Sequence, residues 1–225
     1  MTCPVFITGA TCGFGEATAR RFAGTGWELV LTGRRKDRLD ALCAELSAKT
    51  EVHGLVLDVR DRKAMEQAIA NLPAGFDKLQ GLVNNAGLAL GVDAAQNCSL
   101  DDWETMVDTN IKGLMFTTRL LLPRLIAHGR GASTLNVGSV AGNYPYPGSK
   151  VYGGTTAFVG QFSLSLRCDL RGTGVRVSNI EPGLCEGEFS LVRFAGDQAK
   201  YDATYAGAEP IQPQDIAETI FWILN

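Results

Sequence analysis

The sequence predicts an α/β protein, a single domain built on a doubly wound parallel sheet. Three observations predict it. Strand-like and helix-like segments alternate about six times along the 225 residues. Parallel strands need crossover helices, and those helices cover both faces of the sheet. The first apolar segment runs straight into a glycine-rich turn, Thr8-Gly9-Ala10-Thr11-Cys12-Gly13-Phe14-Gly15, which opens a helical pattern.

The elements follow in order. Val5 to Thr8 reads as a strand, and Ala17, Ala19, Phe22 and Ala23 mark the helix after the turn. Glu28 to Thr32 is a second strand, and Lys36 to Ala48 a helix with Leu39, Leu42 and Leu46 on one face. Val52 to Leu57 is a strand, Arg62 to Leu72 a helix, and Leu79 to Val83 a fourth strand ending at Asn84. The stretch from Leu100 to about Ile126 is largely helical and carries Asn110 near its middle. Ser133 to Val137 is a fifth strand, Tyr152 to Leu170 a helix, and Val175 to Ile180 a sixth strand. That helix repeats Phe158, Phe162 and Leu166 at spacing four, a stripe for core or for an interface between copies, with core preferred. Gly183 to Gly207 is irregular with room for short helices, and its length is typical of a substrate lid, at about 184–207. Pro213 to Leu224 closes the series with Pro and Asp in its first turn. The order is that of a Rossmann-type sheet, and a closing strand is expected beyond Asn225.

Composition narrows the function classes. The formal charge of −3 and the absence of a long basic run argue against nucleic acid as a partner. No apolar run is long enough to span a membrane, and the start lacks the pattern of a secretion signal, so a cytoplasmic protein is expected. The six cysteines are scattered without a Cys-x-x-Cys pair, and with only His53 and His128 no metal cluster is visible. Cys12 lies beside a helix N-terminus, where a thiol pKa can fall, although loop packing is the preferred reading.

Gly9, Gly13 and Gly15 join a strand to a helix. Glycine lets the backbone approach a pyrophosphate there, and the helix N-terminus offers free N–H groups and a positive dipole end. Thr11 and Phe14 belong to the same turn. The end of the second strand sorts the nucleotide. A carboxylate there favours NAD and an arginine favours the 2′-phosphate of NADP. The chain offers Arg34 and Arg35, with no acid until Asp37, so NADP is expected. Otherwise the two arginines only start the next helix. Asp58-Val59 ends the third strand, where the carboxylate either meets the adenine amino group or caps the helix before Arg62. Asn84-Asn85-Ala86-Gly87 ends the fourth strand at the edge where ligands gather, and even as a backbone brace it would shape the cofactor floor.

Ser139 ends the fifth strand, and Tyr152 stands thirteen positions later. A phenol passes protons near neutral pH only if a cation lowers its pKa. A lysine four positions on would share its helix face and supply the charge. Thr156 stands there instead, with one short hydroxyl and no charge. Lys150 is expected in the preceding loop, off that face, and so is a poor substitute.

Taken together, these residues resemble the short-chain dehydrogenase/reductase family over essentially the whole chain. The glycine motif, Asp58, Asn84-Asn85-Ala86-Gly87, Asn110, Ser139, Tyr152 and Pro182-Gly183 carry the resemblance. Within the family the chain is most similar to NADP-dependent 3-hydroxy acid dehydrogenases of the serine, allo-threonine and 3-hydroxyisobutyrate type. That likeness rests on Thr32-Gly33-Arg34-Arg35, Asp102-Trp103-Glu104-Thr105-Met106 and Glu181-Pro182-Gly183-Leu184 through Phe194. The resemblance implies that Asn110, Ser139, Tyr152 and a lysine at position 156 form the catalytic set. It implies that Gly9, Thr11, Gly13, Phe14, Gly15, Arg34, Arg35, Asp58, Val59, Asn85, Ala86, Gly87, Tyr152, Pro182 and Gly183 line the cofactor. It also implies a homodimer or homotetramer built on the helices that carry Asn110 and Tyr152. Thr156 departs from the pattern, and Gly187 stands where relatives carry a hydroxyl residue that helps hold the nicotinamide end. A hydroxyl restored at 187 is therefore expected to help. Substrate contacts are expected from Ser139, Tyr152 and Arg193, the last pairing either with a substrate carboxylate or with Glu186 or Glu188. Two function classes follow. One is a weakened dehydrogenase of small 3-hydroxy acids such as L-serine, and the other is a catalytically silent NADP-binding sensor or partner-binding protein.

Overall fold

The computed structural model describes residues 4–76 and 78–225; Cys3 lies outside them. Six parallel strands form one sheet in the order β3-β2-β1-β4-β5-β6. They are β1 (Val5–Ile7), β2 (Leu29–Gly33), β3 (Val52–Val56), β4 (Gly81–Asn84), β5 (Ser133–Val137) and β6 (Arg176–Ile180). Order reverses between β1 and β4, which pair Val5 with Gly81 and Ile7 with Val83. At such a switch point the loops after the two strands diverge to opposite faces and leave a crevice for a ligand.

Side-chain alternation along the strands divides the core into two. Val5, Ile7, Leu29, Leu31 and Val83 face one side, where they meet α1 (Gly13–Ala23), α2 (Lys36–Leu46) and the last helix through Phe22, Leu39, Leu46 and Ile220. Phe6, Val30 and Leu82 face the other, against Met65 and Ile69 of α3 (Arg62–Ala70) and Leu121 and Leu125. Phe162 and Leu166 join this second core, while Phe158 stacks on Phe162 at 5.6 Å.

The helical stretch expected from Leu100 is interrupted. It forms α4 (Leu100–Val107), a π turn over Asp108–Gly113, and α5 (Leu114–His128). Such wide turns frequently mark functional sites. Next comes α6, which spans Lys150–Asp169. Lys150 thus heads the helix rather than lying in a loop, a correction of the sequence reading. Its ammonium donates to the Asp93 carbonyl, away from Tyr152.

Beyond β6 the chain builds α7 (Glu188–Arg193), α8 (Gln198–Tyr205) and α9 (Pro213–Leu224). The 184–207 segment is thus largely two short helices. Its ends are drawn together where Glu186 N–H donates to the Ile211 carbonyl and Ile211 N–H to that of Leu184, each at 3.0 Å. A capping box between Gln212 and Asp215 starts α9.

Candidate active site

The dinucleotide half of the crevice is knitted by backbone and short side chains. Gly9 has φ +67° and Gly13 φ +53°, conformations that glycine adopts without strain. A Cβ on Gly15 would lie 2.3 Å from the Gly9 carbonyl oxygen, so no larger residue fits beneath the turn. Asn85 Nδ2 donates to the carbonyls of Thr8 (2.9 Å) and Gly9 (3.2 Å). Thr8 Oγ1 accepts from the N–H groups of Asn85 (3.0 Å) and Ala86 (2.9 Å). These bonds tie the loop after β1 to the loop after β4. Asn84 turns inward, donating to Thr118 and Asn136, and Asn136 in turn donates to Ser163.

Cys12 is the residue before α1 and makes no side-chain capping bond, so the first-turn N–H groups of α1 remain available to a ligand anion. Burial pushes the Cys12 thiol up despite the adjacent Arg35 charge, which supports packing over reactivity. Phe14 packs against the first core and Val59 against Gly113 of the π turn.

The arginines at the end of β2 part company. Arg34 is exposed and lies 4.0 Å from Asp58. Arg35 precedes α2 and turns back over the glycine loop. Its Nη1 donates to both Glu188 oxygens at 2.9 and 2.7 Å, and its Nη2 to the Thr11 carbonyl at 3.2 Å. Asp58 is not the helix cap. That role falls to Asp61, which accepts from Ala64 N–H at 3.0 Å. Asp58 instead accepts from Arg60, by guanidinium and by backbone N–H. Partial burial opposes its ionisation, yet these bonds hold its carboxyl below the usual range.

At the reactive end, Asn110 is buried in the π turn. Its Oδ1 accepts from Leu88 N–H at 2.9 Å, and its Nδ2 donates to the Leu88 carbonyl (2.8 Å) and to Thr155 Oγ1 (3.0 Å). Thr155 donates to the Tyr152 carbonyl at 2.8 Å, so Asn110 fixes the first turns of α6. The backbone at Ser139 is extended, and its hydroxyl accepts from Ala141 N–H and bonds the Tyr152 phenol. Burial pushes that phenol up, Tyr146 and Cys185 add to the rise, and only Ser139 and Arg193 oppose it. Thr156 brings no charge to the Tyr152 phenol. It is buried, and its Oγ1 donates back to the carbonyls of Tyr152 (3.2 Å) and Gly153 (3.0 Å) within its own helix.

Arg193 pairs with neither Glu186 nor Glu188. Its guanidinium lies 5.4 Å from the Tyr146 ring centre and 5.8 Å from that of Tyr152, and it donates to Tyr146 Oη at 2.9 Å. Pro182 accepts from Val140 N–H, which brings the Pro182-Gly183 loop beside Ser139. Gly187 has φ +155° and ψ 175°, a conformation essentially reserved for glycine. The expectation that a hydroxyl residue here would help thus meets a conformational obstacle, because any side chain strains this backbone.

Sequence reading missed Tyr146, Thr155 and Glu188 as site residues, and it named Thr8 only as the head of the glycine turn. Glu188 carried a signal as an acid inside the irregular segment, weighed for Arg193 rather than Arg35. The remaining fit is to a dinucleotide: a glycine turn with no room for a Cβ, a helix N-terminus and two guanidinium groups at the end of β2.

Comparison with known proteins agrees with this geometry. Sulfoacetaldehyde reductase 2 from Chromohalobacter salexigens is 58% identical over 218 residues, 97% of this chain and 86% of that protein. Serine 3-dehydrogenase from Agrobacterium fabrum is 54% identical over 225 residues, 100% of this chain and 89% of that protein. The closed form of serine dehydrogenase complexed with NADP+ superposes with a TM-score of 0.93 at 49% identity, covering 98% of this chain and 88% of that one. The short chain dehydrogenase model matches residues 4–195, and with these relatives it shows that the chain belongs to the short-chain dehydrogenase family.

Proposed function

We propose that this chain is an NADP-dependent oxidoreductase of small hydroxy acids or their aldehyde counterparts, and that Thr156 slows its turnover. The observation that carries the reading is the convergence of Ser139 and Arg193 on Tyr152. Ser139 holds the substrate oxygen, Tyr152 exchanges its proton, and Arg193 receives an anionic head. Serine carries a carboxylate, and sulfoacetaldehyde a sulfonate, one carbon from the reacting carbon, so the relatives named for them share this requirement. L-serine and other 3-hydroxy acids fit it equally. NADP supplies the hydride acceptor when bound, over the floor made by Gly9, Asn85, Ala86 and Gly87. Arg34 and Arg35 would hold its 2′-phosphate, and Asp58 and Val59 would border its adenine. The 184–207 segment acts as the substrate lid, since it brings Arg193 to Tyr152.

A silent NADP-binding module is the second reading, favoured by one observation: Thr156 is closed on its own helix. NADP affinity and turnover measured on one sample separate the two. Tight binding with no oxidation of L-serine or 3-hydroxy acids, before and after lysine is restored at 156, would defeat the enzyme reading. Unpaired Cys12, Cys43, Cys98, Cys168 and Cys185 suit a reducing cytoplasm, and no helix among the described residues is long and apolar enough to cross a membrane. A homodimer or homotetramer is expected, and light scattering at micromolar concentration tests it.

A further inference from the structure

Glu188 opens α7, yet its carboxylate reaches the arginines at the end of β2 and the start of α2. It accepts from Arg35 Nη1 at 2.9 and 2.7 Å and from Arg38 Nη1 at 3.1 Å to each oxygen. Burial opposes ionisation of the Glu188 carboxyl, yet the two arginines and Cys12 beside it hold it below the usual range. The two arginines come from the end of β2 and the first turn of α2, and Arg35 is held to the glycine turn by Thr11. This is the position at which a dinucleotide fold receives the 2′-phosphate. An acid from 150 residues away in sequence thus meets the guanidinium set expected to receive an external anion.

Neither partner is an ordinary surface group. The side chains of Glu188 and Arg35 are 28% and 38% exposed. Glu188 borders an open groove with Cys12, Gly13, Arg38, Leu191 and Tyr201, so the bridge spans the gap between α7 and the nucleotide half. Charge-assisted bonds of this kind are stronger than neutral ones and draw on a fixed number of guanidinium donors. Arg35 spends Nη1 on Glu188 and Nη2 on Thr11. A phosphate can engage Arg35 fully only by replacing the carboxylate.

We infer that Glu188 is a specificity-determining residue, an internal carboxylate that holds Arg35 and Arg38 until a 2′-phosphate displaces it. The inference rests on the NADP reading above. Displacement removes the ion pairs that tie the start of α7 to α2, so the phosphate, rather than the dinucleotide as a whole, loosens that end of the 184–207 segment, while Gly91 N–H and Tyr146 still hold Arg193. NAD leaves the bridge in place. Glu188 therefore lowers the affinity for NADP and couples it to movement of the segment that carries Arg193.

The test uses 2′-AMP and 5′-AMP, fragments that carry the phosphate in or out of the subsite and lack the nicotinamide. By calorimetry, Glu188→Gln should bind 2′-AMP and NADP about threefold to tenfold more tightly, with 5′-AMP and NAD unchanged. In the unaltered protein, 2′-AMP should speed amide exchange in residues 188–193 while 5′-AMP does not. In Glu188→Gln that exchange should already be fast and indifferent to either. Weaker 2′-AMP binding by Glu188→Gln would overturn the inference and make Glu188 an orienting partner of Arg35. Unchanged 2′-AMP binding, or exchange in 188–193 that ignores 2′-AMP, would overturn it too. Equal binding of 2′-AMP and 5′-AMP by the unaltered protein would instead remove the NADP reading beneath it.

Discussion

The two ends of the crevice are built to different standards of tolerance. The nucleotide half is held by close backbone packing and short side-chain bonds. Gly15 lies under the Gly9 carbonyl, Asn85 bridges Thr8 and Gly9, and Thr8 binds two successive N–H groups. The reactive half hangs on a few long or charged side chains. One of those expected by resemblance is replaced by Thr156, and the helix closes around the replacement without distortion. The contrast teaches that the geometry of binding and the electrostatics proposed for catalysis rest on separate residues here. Thr156 is buried and bonded within α6, so the helix needs no charge at this position to keep its shape.

The sharpest way to break this contrast is Thr156→Lys. Burial already pushes the Tyr152 phenol up, and only Ser139 and Arg193 oppose that. An ammonium one helical turn away should lower it. General acid–base catalysis contributes roughly 10²–10⁴-fold, so kcat for oxidation of a 3-hydroxy acid should rise by about that factor. The sign follows from the base needed: oxidation uses the phenolate, so its rate limb lies at high pH and should move to lower pH in the lysine variant. A pH–rate profile measures this. Ordinary turnover in the unaltered chain, or no gain in a variant that still binds NADP, would show that the two halves are not separable.

How much of this was legible in the sequence follows the same division. The six strands and the glycine turn were readable because periodicity and glycine placement report local backbone needs. Ser133 to Val137 and Pro213 to Leu224 came out with their exact limits. The π turn around Asn110 was not readable, since one extra residue in a helical turn leaves the surrounding apolar pattern unchanged. Ser139 and Tyr152 were found through their family spacing, and their contact depends on packing that no local signal encodes. Glu188 was hidden for the plainest reason. An ion pair between residues 35 and 188 is a tertiary event, and the carboxylate could as well have met Arg193.

Arg193→Ala should have the next largest effect and sharpen the comparison inside the reactive half. Losing a charge-assisted hydrogen bond costs about 1.5–3 kcal/mol, or roughly 10- to 150-fold in kcat/KM for carboxylate or sulfonate substrates. Uncharged secondary alcohols should change much less. A uniform loss across both classes would mean that the 184–207 segment had lost its shape. Arg34→Ala probes the opposite half. Arg34 is exposed and its Asp58 contact is long, so on the proposed reading its loss should be felt at the 2′-phosphate. NADP should bind about tenfold more weakly and NAD nearly unchanged, as read by fluorescence titration.

The smallest effect on turnover is expected from Gly187→Thr, and it distinguishes resemblance from geometry most directly. Resemblance places a hydroxyl residue near this position to hold the nicotinamide end. In this chain the backbone at Gly187 has φ +155° and ψ 175°, and a Cβ there would touch nothing within 4 Å. The obstacle is therefore conformational rather than steric. A threonine must either hold a glycine-only conformation, at about 1–3 kcal/mol, or shift the chain between Cys185 and Glu188. The first response lowers the melting temperature by about 2–4 °C for each kcal/mol in a chain of this size. The second would pull Glu188 away from Arg35 and Arg38. In the Thr156→Lys background the added threonine should then give no further gain in kcat. A gain of tenfold or more at unchanged melting temperature would show that this backbone accommodates a side chain after all, and that the reactive end lacks two groups rather than one.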